Sequence, residues 1–216
     1  VKTLVQCDFD GTITDKDVSF LLLNTFGNGN WRELLKEYHA GKMSVGAFNT
    51  RAFAMVSADR DAQLNLIFNS GAIKIRPGFP ELVDYCSGKG FEFVIVSNGE
   101  DFYIEAYLQR LGLGQIKFHA ATVRFDPAGL EVSYIGPDGM AVDNGFKETY
   151  TRLFLSQGYR IIYIGNGASD IYPARLSHHV FATGGLLKKC REEKLACTPF
   201  EDLNEVVQAL KKLALE

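Results

Sequence analysis

The chain opens on a short apolar run, residues 2–7, that breaks off into Asp8 and Asp10, a pattern that predicts a buried strand feeding a tight loop. From 17 to about 68 the texture changes. Apolar residues recur at helical spacing: Phe20, Leu21, Leu23 and Phe26, then Trp31, Leu34, Leu35 and Tyr38, then Phe48, Ala52 and Met55. Residues 27–30 and 41–44 interrupt the runs, and Ser44 is placed to cap the helix that follows. The stretch predicts three or four helices and almost no strand. Phe20, Phe26 and Trp31 are expected to pack inside it, and Arg51 to be exposed.

After Arg76-Pro77-Gly78 strands and helices alternate. Helices are predicted over 77–87, 100–111, 145–157, 171–176, 185–192 and 200–215. Strands are predicted over 91–96 and 159–164, with short ones near Val180-Phe181 and at 195–197. Two alternating runs within 116–134, set around Asp126-Pro127-Ala128-Gly129, predict a β-hairpin. Strands alternating with helices imply an α/β fold, a Rossmann-like parallel sheet with helices on both faces. The expected division is a catalytic core of residues 1–14 and 76–216, with a small helical cap, 15–75, inserted after the first strand.

Composition narrows the setting. The 216 residues are 46% hydrophobic and 23% charged, as in an ordinary soluble domain, and the formal net charge is −3. That balance argues against a nucleic-acid or membrane-surface binder. No run of about 18 apolar residues suggests a membrane span, and the first ten residues do not form a signal peptide. Cys7, Cys86, Cys190 and Cys197 show neither a CxxC pair nor a His at metal spacing, so free thiols and a cytoplasmic location are expected. His178 and His179 are read as the polar end of a helix. Apolar surface on the cap leaves a homodimer possible in principle.

The chemical residues sit where an open α/β sheet binds ligands, beyond the carboxyl ends of its strands. Asp8 and Asp10 follow the first strand, Ser97-Asn98-Gly99 follows Val96, Gly165 to Asp170 follows Ile164, and Lys147 opens a helix. Carboxylates one residue apart on extended chain point the same way, and close carboxylates call for a cation or a shared proton. Oxygen-rich sites suit magnesium shared with phosphate. One carboxylate can attack phosphorus while the other handles protons, and Lys147 with Ser97 can hold the equatorial oxygens. These parts suffice for phosphoryl transfer.

DFDGTIT at 8–14, the serine of VIVSNG, a lysine shortly after a glycine and GNGASD at 165–170 occur in the order found in haloacid dehalogenase-like phosphatases, which this chain resembles. The resemblance implies Asp8 as nucleophile, Asp10 as general acid and base, and Lys147 as a catalytic cation. It implies phosphate binding by Ser97, Lys147 and the backbone around Gly11, Asn98 and Gly99. It further implies Mg2+ held among Asp8, Asp10, Asn166 and Asp170. The presence of Asp10 points to a phosphatase, since the dehalogenases lack an acid there. The helical insertion and the hairpin are similar to the phosphoserine phosphatase branch. The stretches SDIYPARLSHHVFA and CTPFEDLNEVV look most like the methionine-salvage phosphatases. One departure stands out: Asn166 replaces the family's usual Asp, removing a negative charge from the metal site. The expected partner is a small phosphomonoester. The competing readings are a phosphotransferase on the same intermediate, and a phosphate-ligand-binding pseudo-phosphatase weakened by Asn166.

Overall fold

The computed structural model describes residues 2–213. Strand β1 (Lys2–Cys7) is buried along almost its whole length and lies at the centre of a seven-stranded sheet. It is flanked in parallel by β2 (Glu92–Glu100) and by β5 (Tyr159–Gly165). Strand β3 (Lys117–Asp126) joins β2 in parallel, and β4 (Gly129–Ser133) folds back on it as the predicted hairpin. On the far side β6 (His179–Ala182) and the two-residue β7 (Thr198–Pro199) complete the order β4-β3-β2-β1-β5-β6-β7. Helices cover both faces. Chain progression reverses on either side of β1, and such a reversal opens a crevice at the carboxyl ends of the central strands.

Five helices separate β1 from β2, and the first four form one segment: α1 (Val18–Phe26), α2 (Trp31–His39), α3 (Val45–Phe53) and α4 (Arg60–Asn69). Three start on a side-chain cap: Asp17 accepts from the Phe20 N–H, Ser44 from Ala47 and Asp59 from Ala62. Their buried residues, among them Trp31, Phe48, Phe53 and Ile67, belong to the same apolar cluster as β1 and β2. Phe68 of α4 meets Tyr107 edge-on at 4.8 Å, where Tyr107 lies on α6 (Asp101–Arg110). Helix α3 lies on the hairpin, with the Thr50 hydroxyl donating to the Val132 carbonyl.

The remaining helices are α5 (Phe79–Gly88), α7 (Phe146–Ser156), α8 (Ile171–Arg175), α9 (Gly184–Glu193) and α10 (Leu203–Lys212). Three expectations need correction. The strand predicted at 195–197 is not formed, because the Leu195 N–H turns back to the Cys190 carbonyl to close α9, and pairing begins at Thr198. The last helix starts at Leu203, not 200, because Asp202 caps it, and its predicted end at Leu215 lies outside the described residues. His179 opens β6, with Nε2 3.0 Å from the Thr198 hydroxyl, and is not part of a helix end. All four cysteines are free, and three are buried. Among the described residues no helix is long and apolar enough to cross a membrane.

Candidate active site

The backbone of β1 delivers Asp8 to the crevice: its N–H donates to the Ile164 carbonyl of β5 at 2.9 Å. Beyond it the chain coils so tightly that the N–H groups of Thr12, Ile13 and Thr14 all converge on the Phe9 carbonyl. The Arg76 guanidinium clamps this loop, donating to the carbonyls of Gly11 and Thr12, each at 2.9 Å. Lys147, in the first turn of α7, reaches in from the side. Its Nζ lies 2.7 Å from Asp8 Oδ1 and 2.6 Å from Asp170 Oδ1, and all three side chains are almost wholly buried.

Asp170 is saturated. Its Oδ1 also accepts from the Tyr163 hydroxyl at 2.7 Å, and its Oδ2 accepts from the N–H groups of Asn166 and Gly167 at 3.0 and 2.8 Å. The carboxylate therefore orients Lys147 and the turn that carries Asn166. Burial pushes the Asp8 carboxyl up to about 7, with Lys147 acting against the rise. Burial alone would lower the Lys147 ammonium, but Asp170 and Asp8 more than offset it and hold the lysine above its ordinary range.

Asp10 has different company. Its Oδ1 accepts from the Val18 N–H at 2.8 Å and its Oδ2 from the Tyr103 hydroxyl at 2.6 Å. Burial raises its carboxyl well above the usual range and the Asp17 charge adds to the rise, whereas the Tyr103 and Val18 hydrogen bonds oppose it. Glycine is required beside this pair: a Cβ on Gly99 would stand 2.0 Å from the Tyr103 hydroxyl and 2.1 Å from Asp10 Oδ2.

The two Gly residues expected to bind the phosphate have N–H groups already partnered. The Gly99 N–H donates to the Ser97 hydroxyl at 3.0 Å, and the Gly11 N–H donates to the Thr14 hydroxyl at 3.0 Å. What Gly11 supplies is clearance in a left-handed turn, since a Cβ there would meet Asn166 Nδ2 at 2.1 Å. Asn166 in turn accepts from the Thr12 hydroxyl at 3.1 Å. The Asn98 carbonyl accepts from Asn49 of α3 at 2.8 Å and from the Tyr134 hydroxyl at 2.6 Å.

These groups surround a cleft of about 850 Å³ between the four-helix segment and the sheet. Asp8, Asp10, Ser97, Asn98, Gly99, Lys147 and Asn166 all border it, whereas Gly11 and Asp170 support it from behind. The opposite wall comes from the four-helix segment and its loops, and mixes the apolar side chains of Phe20, Met43, Val45 and Phe48 with polar groups of Asp17, Ser19, Tyr38, Lys42 and Asn49. Phe20, expected inside the helical segment, thus shares its surface between Trp31 and the cleft. Tyr38 of α2 and Ser169 of the turn after β5 both line the cleft. Arg51 is exposed, as expected, and lines a separate groove beside the hairpin. Sequence reasoning passed over Ser19, Arg76, Glu100 and Tyr103. Only Glu100 carries a local signal, as an acid that directly follows a buried strand and SNG.

A family model described as haloacid dehalogenase-like hydrolase matches residues 5–175. The chain belongs to that family. Among curated proteins this hydrolase is 28% identical to a 2-hydroxy-3-keto-5-methylthiopentenyl-1-phosphate phosphatase of Brevibacillus brevis, over 100% of this chain and 98% of the relative. A protein of the same name from Exiguobacterium sibiricum is also 28% identical, over 96% and 95%. Among solved structures, a phospho-aspartyl intermediate analogue of phosphoserine phosphatase superposes with a TM-score of 0.69 at 18% identity, covering 96% of this chain and 98% of that one. A substrate-bound phosphoserine phosphatase gives 0.70 at 16% identity, covering 97% and 98%. At such identities the structural likeness concerns the fold, a mostly parallel sheet with helices on both sides.

Proposed function

We propose that this hydrolase releases phosphate from a small phosphomonoester through an aspartyl-phosphate on Asp8, with Asp10 as general acid and base and magnesium as cofactor. The observation that carries the reading is Lys147, a buried ammonium held between Asp8 and Asp170 on the floor of the cleft. It fixes Asp8 Oδ1 while Oδ2 attacks phosphorus, and its remaining N–H faces the charge that builds on the equatorial oxygens. The Ser97 hydroxyl accepts from Gly99 and keeps its own proton for a phosphoryl oxygen. Asp10 protonates the departing oxygen and then takes a proton from the water that opens the acyl phosphate.

The donor set suits a hard ion that prefers oxygen, and Asp8 with the Asn166 side-chain carbonyl would hold it. Among the described residues no three His, Cys, Asp or Glu side chains are grouped as a metal site. Magnesium bound there would neutralise phosphate charge. Asp170, already saturated, acts through Lys147 and not as a ligand.

The apolar part of that wall, Phe20, Met43, Val45 and Phe48, favours an ester whose leaving group carries an apolar portion. That apolar part and the names of the relatives support an enol phosphate bearing a methylthio group as the ester to test first, with phosphoserine beside it.

Phosphate release is to be measured across a panel holding both esters, with and without magnesium. Release concentrated on the methylthio ester supports the reading. Asp8→Asn is expected to abolish turnover, and a substantial steady-state rate in that variant would refute the covalent route. Asp10→Asn is expected to cost about 10²–10⁴-fold on an alkyl ester and much less on p-nitrophenyl phosphate. Saturable phosphate binding without release in the native chain, restored by Asn166→Asp, would favour a pseudo-phosphatase.

A further inference from the structure

Behind Asp10 lies a group of polar side chains that the reaction above does not use. Glu100, the last residue of β2, is fully buried. Its Oε2 lies 3.1 Å from the Ser19 hydroxyl, whereas its Oε1 is buried without any hydrogen-bond partner. The Ser19 hydroxyl lies 3.2 Å from the Tyr103 hydroxyl, which donates to Asp10 Oδ2 at 2.6 Å. The Tyr103 hydroxyl also approaches the Glu100 carboxyl. The charged groups facing Glu100 are Asp10 and Asp17, both acids.

Counting protons decides the direction of these bonds. Three contacts at hydrogen-bond distance run in series through Glu100, Ser19, Tyr103 and Asp10, at 3.1, 3.2 and 2.6 Å, but two hydroxyls supply only two protons. Tyr103 commits its proton to Asp10, the shortest contact of the three. If Ser19 gave its proton to Glu100, two hydroxyl oxygens would face each other with nothing between them. If it gave the proton to Tyr103, an ionised Glu100 would meet only the Ser19 lone pairs. A proton on Glu100 Oε2 resolves both conflicts, because each of these three contacts then has one donor and one acceptor. It also accounts for Oε1, since an unpaired carbonyl oxygen is far cheaper to bury than an unpaired carboxylate oxygen.

We propose that Glu100 is a neutral carboxylic acid heading a one-way chain of hydrogen bonds, Glu100 to Ser19 to Tyr103 to Asp10, and is a positioning residue for Asp10. The inference rests on the role proposed for Asp10. When Asp10 passes its proton to the leaving oxygen, the new carboxylate keeps the Tyr103 hydrogen bond at Oδ2. No proton has to leave Glu100. Gly99 is part of the device, because only a residue without Cβ lets Tyr103 and Asp10 meet at that point.

Two measurements test it. The infrared spectrum of the native protein near neutral pH is expected to show a protonated-carboxyl C=O band that is lost in Glu100→Gln. The Gln amide still donates to Ser19, so this variant should keep its hydrolytic rate within a few-fold. An unchanged spectrum would mean that Glu100 is ionised and would overturn the proposal. Tyr103→Phe and Ser19→Ala are expected to slow hydrolysis of an alkyl phosphate about tenfold more than that of p-nitrophenyl phosphate, which needs no proton on its leaving group. Equal losses on both esters would show that the chain does not act on Asp10. The band without hydrolysis of any ester would overturn the phosphatase reading and leave the donor chain standing. Hydrolysis without the band would do the reverse.

Discussion

The two sides of the cleft floor bury carboxylates equally deeply and handle them in opposite ways. On the β5 side Asp8 and Asp170 share one cation, Lys147, at 2.7 and 2.6 Å. On the β2 side Asp10 accepts from a hydroxyl and a backbone N–H, Glu100 lies beside the Ser19 hydroxyl, and among the described residues the charges facing these two carboxyls are acids. Lys147 works against the rise that burial gives Asp8, whereas like charges add to that rise at Asp10 and Glu100, so the acid beside the cation is the readier of the two to ionise. A nucleophile needs the first environment and a general acid needs the second. Two aspartates one residue apart are thus assigned different work by what lies behind each, and the short loop Phe9 to Gly11 separates the two regimes.

The cation side is the easier one to break. Lys147→Met leaves two acids buried without a counter-charge, and a loss of about 3–5 kcal/mol in folding stability is expected along with loss of turnover. Denaturant unfolding checks this, and a midpoint unchanged from the native protein would mean that the pair contributes nothing to the fold.

The proton side predicts a pH dependence of the opposite kind. Burial, and then the charges of Asp10 and Asp17, hold the Glu100 carboxyl well above its ordinary value of 4.5. Above that value the unfolded chain ionises Glu100 while the folded one keeps its proton. The folded state then binds more protons, so stability falls as pH rises from about 4.5 toward the raised folded value. Glu100→Gln removes this contribution. Its stability relative to the native protein should therefore improve steadily from acid to neutral pH, and a constant difference across that range would count against a neutral Glu100.

The smallest expected effect concerns charge on the metal side. Asn166→Asp adds one negative charge to the cleft and should tighten magnesium binding about tenfold, a gain of about 1.4 kcal/mol, measurable by calorimetry without substrate. Equal affinities would mean that position 166 does not contact the ion.

The cation side was legible in the sequence and most of the proton side was not. Asp8, Asp10, Ser97, Lys147 and the turn at 165–170 lie in short local patterns that strand ends impose on the chain, so their convergence follows from the order of elements. Tyr103 and Ser19 sit at ordinary positions of amphipathic helices. Only tertiary packing brings Tyr103 to Asp10, across a backbone separation of 93 residues. The edge of the sheet was misread for a related reason: residues 195–197 have strand-like composition, but the closing turn of α9 takes the Leu195 N–H first.

The apolar cluster that runs unbroken from the sheet into the four-helix segment limits how this molecule can be rebuilt. Phe48, Phe53 and Ile67 belong to one interior with β1 and β2, so the segment is not a detachable cassette. Grafting a foreign lid between β1 and β2 would uncover the flank of α6 where Phe68 now rests on Tyr107. Phe20 and Met43 also pack against that interior, so Val45, which borders the cleft without belonging to the cluster, is the wall residue to exchange first when altering the choice of ester.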